Sequence, residues 1–207
     1  SFETLEALSE SLEGQAHTAE YRQKMLHPLP TGVIEVDRVA FIVKNCTGKR
    51  VLEFGASGPL TMAIRAVAST YLGVDRTAGP LIVAFDLDEI GVYSGELGPD
   101  LPVMDTPEVI ILGEVLEHLS NPGWFLTRLK RQYPGVPVII TVPNAYRASH
   151  GKWLNRGLEN VNADHVAWYS PKVLACLLIR AGYAAGGLFW YHGNSATTAE
   201  GLVVVTE

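Results

Sequence analysis

The chain has 207 residues, 47% of them hydrophobic and 18% charged, which suits one globular domain with a real core. Its net charge is −6, from 16 Lys and Arg against 22 Asp and Glu, so the basic stripe of a duplex-binding surface is missing and nucleic acid is a poor partner. No run of about 18 apolar residues is present, so no membrane span is expected, and the acidic start "SFETLEALSESLEG" is unlike a signal peptide.

Residues 1–45 read as a helical cap. Leu5, Leu8 and Leu12 fall at helical spacing, "HPLPTG" breaks the chain, and Val33, Val36, Val39, Ala40 and Val43 share one face of a second helix ending near Asn45. From residue 50 strands and helices alternate. "RVLEFG" and "TYLGVD" read as strands around the helix "PLTMAIRAVAS"; "LIVAFDLD" reads as a possible third strand. "EVIILG" leads into a helix from about Glu114. Asn121 and Pro122 then open another helix. "VPVIITVPN" is a strand, Ser170 and Pro171 open a helix that stops at Gly182, and "AGGLFWYHG" and "GLVVVTE" close the chain as a hairpin. This alternation predicts a mainly parallel sheet covered on both faces. Cys46 and Cys176 lack metal-ligand spacing and are expected as buried thiols in a reducing cytoplasm.

In such sheets the ligand sits beyond the carboxyl ends of the strands. Glu53–Gly58, Asp75, Asp86–Asp88, Gly113–His118 and Pro143–Asn144 all fall there. The turn Gly55-Ala56-Ser57-Gly58-Pro59 does not fit a dinucleotide, because Ser57 and Leu60 stand where glycines would let backbone amides reach a pyrophosphate. Glu53, just before the turn, would repel phosphate but suits an ammonium group. Asp75, roughly 20 residues further on, ends the next strand, where an acid accepts ribose hydroxyls. A ribose, an ammonium and no phosphate describe S-adenosylmethionine, and the same residues disfavour a nicotinamide oxidoreductase.

These motifs resemble class I S-adenosylmethionine-dependent methyltransferases over roughly residues 33–207. "VLEFGASGPLT", "YLGVDR", "EVIILGEVLEHLSNPGWFLTRLKR" and "VIITVPN" carry the likeness, and "DHVAWYSPKVLACLLIRAGY" is similar to the ubiquinone-biosynthesis type O-methyltransferases. The resemblance implies a single Rossmann-like doubly wound α/β domain over 1–207, with seven strands in the order 3-2-1-4-5-7-6 and strand 7 antiparallel. It implies cofactor contacts from Glu53, Gly55, Ala56, Ser57, Gly58, Asp75, Arg76, Asp86, Gly113 and Glu114, with Asp86, and Asp88 second, at the adenine. Two departures stand out. The turn is one residue short, and the 11 residues from Asp75 to Asp86 leave no room for the usual helix between strands 2 and 3.

Methyl transfer needs alignment and sometimes a base. His118 and His165 are the candidates, and His165 lies in the loop "NVNADHVAWYS" at the expected mouth. Glu114, Glu117, His118 and His165 could instead hold a divalent ion, as in similar small-RNA 2′-O-methyltransferases; a metal is possible but not favoured. The long segment 143–170 reads as a substrate loop whose aromatics and cations suit a planar or anionic acceptor, or as a helical insert packing its aromatics inward. His17, His27 and His192 read as incidental, and Trp124 and Trp190 as core. The expected activity is O-methylation of a small molecule; alternatives are a metal-assisted RNA ribose methyltransferase and a non-catalytic methyltransferase-like subunit. Oligomeric state is left open.

Overall fold

The structure, a computed structural model, describes residues 28–77, 79–84 and 104–206. Asp86, Asp88, His17, His27 and the helix expected near the amino terminus lie outside the described residues. The chain divides into two compact units, Ser1–Pro30 and Thr31–Glu207, and the second contains all the described strands and helices.

Eight strands form one sheet: β1 (Glu35–Val36), β2 (Arg50–Phe54), β3 (Thr70–Asp75), β4 (Ile82–Ala84), β5 (Val109–Gly113), β6 (Val138–Pro143), β7 (Ala185–Tyr191) and β8 (Gly201–Thr206). Their order is β1-β7-β8-β6-β5-β2-β3-β4, with β8 antiparallel to both neighbours. Without β1 this is the expected seven-strand order. The extra strand corrects the helix expected over 33–45: Glu35 and Val36 pair in parallel with Trp190 and Tyr191. Helix α1 (Arg38–Cys46) begins only after Asp37, whose carboxylate accepts from the Ala40 amide at 2.8 Å as an N-cap.

Among the described residues four more helices follow: α2 (Gly58–Val67), α3 (Pro122–Gln132), α4 (Ala148–Leu154) and α5 (Pro171–Arg180). Asn121 and Ser170 cap α3 and α5 through their side chains as expected. The helix expected from Glu114 is instead one 3-10 turn, Leu116–His118. Between β3 and β4 the described residues form bends, a turn and an isolated bridge from Gly79 to Ile82, and no helix, as the short spacing predicted.

Strand alternation splits the core in two. Leu52, Phe54, Ile110, Leu112 and Ile140 face α3 and α5 through Phe125, Leu129, Leu174 and Leu178. Val51, Ile111, Ile139 and Val203 pack on the other side with Ile42 and Cys46 of α1 and Ile64 of α2. Glu53 alternates with Leu52 and Phe54, so it falls on the α1 and α2 side. Trp190 is in the core and Trp124 packs against it. Cys46 is buried, but Cys176 is exposed. Helix α5 buries Leu174 and Leu178, which turns the residue midway between them outward, so the expectation of two buried thiols holds for one only.

Candidate functional site

Beyond the carboxyl ends of β2, β3 and β5 lies a cavity of about 660 Å³. Glu53 is its most informative wall. The side chain is 2% exposed, held by the Tyr71 hydroxyl, which donates to Oε2 at 2.5 Å, and by the Thr61 hydroxyl, which donates to Oε1 at 3.2 Å. Burial pushes its carboxyl up to about 7, against those two hydrogen bonds and the Arg38 charge, which lower it. The same burial, with Glu53 nearby, pushes the Cys46 thiol up to about 12 and leaves it inert.

The glycine turn works through shape rather than through free amides. The amides of Gly55 and Ala56 both donate to the Val74 carbonyl, at 2.8 and 3.1 Å, which ties the turn to the end of β3. Gly55 has φ +74°, and a Cβ there would sit 2.6 Å from Val115 Cγ2, so only glycine lets the turn and the segment after β5 close together. Gly55, Ser57, Pro59 and Leu60 line the cavity, whereas Ala56 and Gly58 do not. Asp75 lines it too. One of its oxygens accepts from the Thr77 amide at 3.1 Å, so this acid shapes the turn after β3 as well as facing the site. Arg76, Gly113 and Glu114, also expected here, line the wall as well.

Glu114 departs from the expected helical face. It has φ +58°, a left-handed conformation uncommon for a side-chain-bearing residue. Its carboxylate accepts from the Tyr191 hydroxyl at 2.5 Å and stands 3.9 Å from Arg38 Nη2. Glu117 and His118 therefore form a separate group with His165, their ligand atoms lying within 4.8 Å of one another. Glu117 is 1% exposed, and neither of its oxygens has a hydrogen-bond partner. Burial, with Glu114 and Asp164 nearby, pushes its carboxyl up to about 8. His118 Nδ1 is 3.0 Å from Asp164, and its ring meets the His165 ring edge-on at 4.6 Å. Burial and the neighbouring His118 lower the pKa of His165, favouring neutral imidazole.

Three contributors escaped sequence reasoning. Arg38 lines the cavity from α1 and donates to the Thr141 hydroxyl at 3.1 Å, a contact 103 residues away along the chain. Tyr191 arrives from β7, and Asp164 reaches His118 from the loop just before His165. His192, read as incidental, lies 3.1 Å from Glu200. Asn144 is the reverse case. It is fully buried and holds Ala196, Ala199 and Tyr146 by hydrogen bonds, so it fastens loops instead of facing a ligand. In segment 143–170, Tyr146, Trp153 and Trp168 are exposed and only Tyr169 packs inward, donating to the Leu116 carbonyl at 3.1 Å.

Comparison with known proteins agrees with this geometry. A family profile described as a methyltransferase domain matches residues 21–185. No curated protein sequence matches the chain. Among solved structures, an S-adenosylmethionine-dependent methyltransferase from Archaeoglobus fulgidus is similar at 12% identity, with 81% of this chain and 89% of that chain covered and a TM-score of 0.59. The 1,6-didemethyltoxoflavin-N1-methyltransferase of Burkholderia thailandensis, solved with 1,6-didemethyltoxoflavin and S-adenosylhomocysteine, is similar at 15% identity, 81% and 75% coverage and a TM-score of 0.55. Magnesium protoporphyrin IX methyltransferase from Synechocystis PCC 6803, solved with S-adenosylhomocysteine, is similar at 12% identity, 81% and 78% coverage and a TM-score of 0.55. These structures share the fold. The profile spans most of the chain, from before α1 into β7, and includes every strand end that lines the cavity: the chain belongs to the methyltransferase domain family.

Proposed function

We propose that this methyltransferase transfers the methyl group of S-adenosylmethionine to an oxygen of a small-molecule acceptor, as the sequence likeness to the ubiquinone-biosynthesis type group suggests. The observation that carries the reading is Glu53, a buried carboxylate beside a glycine held at a left-handed φ against Val115, in one cavity with Asp75. Glu53 would take the cofactor ammonium and Asp75 its ribose. The bound group supplies an electrophilic methyl on a sulfonium with a neutral thioether leaving group. The chain's own part would be to hold the acceptor oxygen in line with that methyl. The hydroxyl proton passes to His165, which burial keeps neutral. The cavity retains both acids and both histidines, so the non-catalytic reading gains no support from it.

Calorimetry with S-adenosylmethionine, S-adenosylhomocysteine and NAD tests the reading. The two sulfur compounds should bind and NAD should not, and Asp75→Ala should weaken both by about tenfold or more. Failure of the wild-type protein to bind either sulfur compound sinks it.

One observation favours a second reading, metal assistance. A buried carboxylate with two unpartnered oxygens is costly, and Glu117 sits with His118 and His165 in a set whose donors suit Mn²⁺ or Zn²⁺. Glu114 is engaged by Tyr191 and Arg38 and stands outside that set. Such an ion would lower the acceptor hydroxyl's pKa. The test is thermal: Mn²⁺ or Zn²⁺ should raise the Tm of the wild-type protein and not that of Glu117→Gln. Equal shifts, or none, reject it. This reading does not bring RNA with it, because the net charge of −6 still opposes a nucleic-acid partner.

A further inference from the structure

The cofactor cavity shares a wall with a second cavity of about 530 Å³. Arg38, Glu114, Asn162 and His165 line both. Methyl transfer needs donor and acceptor atoms in line and in contact, so an acceptor has to reach this wall, and the second cavity is where its body would lie.

The two linings differ in chemistry. The first collects acids: Glu53, Asp75, Glu114, Glu117 and Asp164. The second collects Arg147 with the imidazoles of His150, His165 and His192. Its two carboxylates are already engaged, Glu114 by Tyr191 and Arg38, and Glu200 by His192 at 3.1 Å and Arg147 at 3.6 Å. The Arg147–Glu200 pair is long and Glu200 is half-exposed, while Arg147 Nε has no hydrogen-bond partner. This guanidinium is therefore under-satisfied. Trp168 lines the cavity and is braced by the His150 ring in a T-shaped contact, ring centroids 4.3 Å apart, which supplies an aromatic wall. Among the described residues the aliphatic lining is short, Pro143, Val161 and Ala167, and offers no apolar channel for a prenyl or acyl tail.

We propose that this second cavity is the acceptor site and that it takes a compact aromatic hydroxy acid without a long tail. The ring lies along Trp168, the anionic group meets Arg147, and the hydroxyl points to the shared wall at His165. A planar guanidinium suits a carboxylate, and an aromatic face suits a ring. The inference rests on the methyltransferase reading, and it narrows the acceptor by charge, flatness and length.

The test uses the full chain saturated with S-adenosylhomocysteine and two probes, 4-hydroxyphenylacetate and its neutral amide 4-hydroxyphenylacetamide. Calorimetry should find the acid bound about tenfold more tightly than the amide. Arg147→Gln should weaken the acid by about tenfold and leave the amide nearly unchanged, so the preference collapses; Arg147→Lys should keep part of it. Trp168→Ala should weaken both probes alike. A Tm and S-adenosylhomocysteine affinity equal to wild type show that each variant is folded. Equal binding of the two probes, or a preference that survives Arg147→Gln, overturns the charge assignment. No binding of either probe to the loaded protein overturns the site itself. Should S-adenosylhomocysteine not bind at all, the methyltransferase reading fails rather than this one.

Discussion

Replacing Glu53 by Gln removes one ionisable group and keeps its size. Burial lifts the Glu53 carboxyl from 4.5 to about 7. An acid whose folded pKa lies above its unfolded value binds more protons when folded, so its contribution to stability falls as pH rises through that window. At 1.36 kcal/mol per pH unit, the wild-type protein should lose about 2 to 3 kcal/mol from this group between pH 5 and 8. The variant loses nothing there, but it gives up one good hydrogen bond to Tyr71 or Thr61, worth about 1 kcal/mol. Glu53→Gln should therefore be about 1 kcal/mol less stable than wild type near pH 5 and as stable or more stable at pH 8. Urea melts of both proteins at pH 5, 6.5 and 8 measure the difference directly. Glu117, whose carboxyl is also raised, acts with the same sign in both proteins and cancels. A stability difference that stays constant across the three pH values refutes the reasoning.

Other outcomes follow from the same geometry. If ionised Glu53 holds the ammonium, S-adenosylhomocysteine should bind the wild-type protein more tightly as pH rises through 7, releasing protons below that pH, and Glu53→Gln should lose the dependence; calorimetry in buffers of different ionisation heat reads both. Gly55→Ala pushes a Cβ to 2.6 Å from Val115 Cγ2 at a left-handed φ and should cost about 2 to 4 kcal/mol; adding Val115→Ala should not restore full stability, since the backbone strain remains. Gly201→Ala places a Cβ 2.1 Å from the Tyr191 ring, so it should displace that ring, break its bond to Glu114 and lower Tm by more than about 5 °C in a thermal melt.

Which parts of this molecule were readable from residues follows from range. The seven main strands announced themselves because a sheet covered on both faces needs unbroken runs such as "VIILG" and "VIITV". A strand of two residues has no period, and Val33 and Val36 fit helical spacing, so the residues alone point to a helix where β1 stands. Glu53 was conspicuous because a carboxylate in a buried strand needs a reason. Arg38 was not, because what fixes it at the cavity is Thr141 and Glu114, far along the chain. The face drawn through Glu114, Glu117 and His118 failed for a local reason: the spacing rule holds only inside a helix, and Glu114 lies before the 3-10 turn in a left-handed bend. The amides of Gly55 and Ala56 are spent on Val74, a tertiary bond that no spacing shows.

That bend at Glu114 sorts one short segment between two compartments. Holding a side-chain-bearing residue there costs about 1 to 2 kcal/mol. In return, the carboxylate at 114 serves the partition with Arg38 and Tyr191, while Glu117 and His118 stay with His165 on the cofactor side. The two halves of a five-residue stretch therefore face different neighbours but stay linked by charge: Glu114 helps raise the Glu117 carboxyl, so a change at 114 should be felt at 117 without any contact between them.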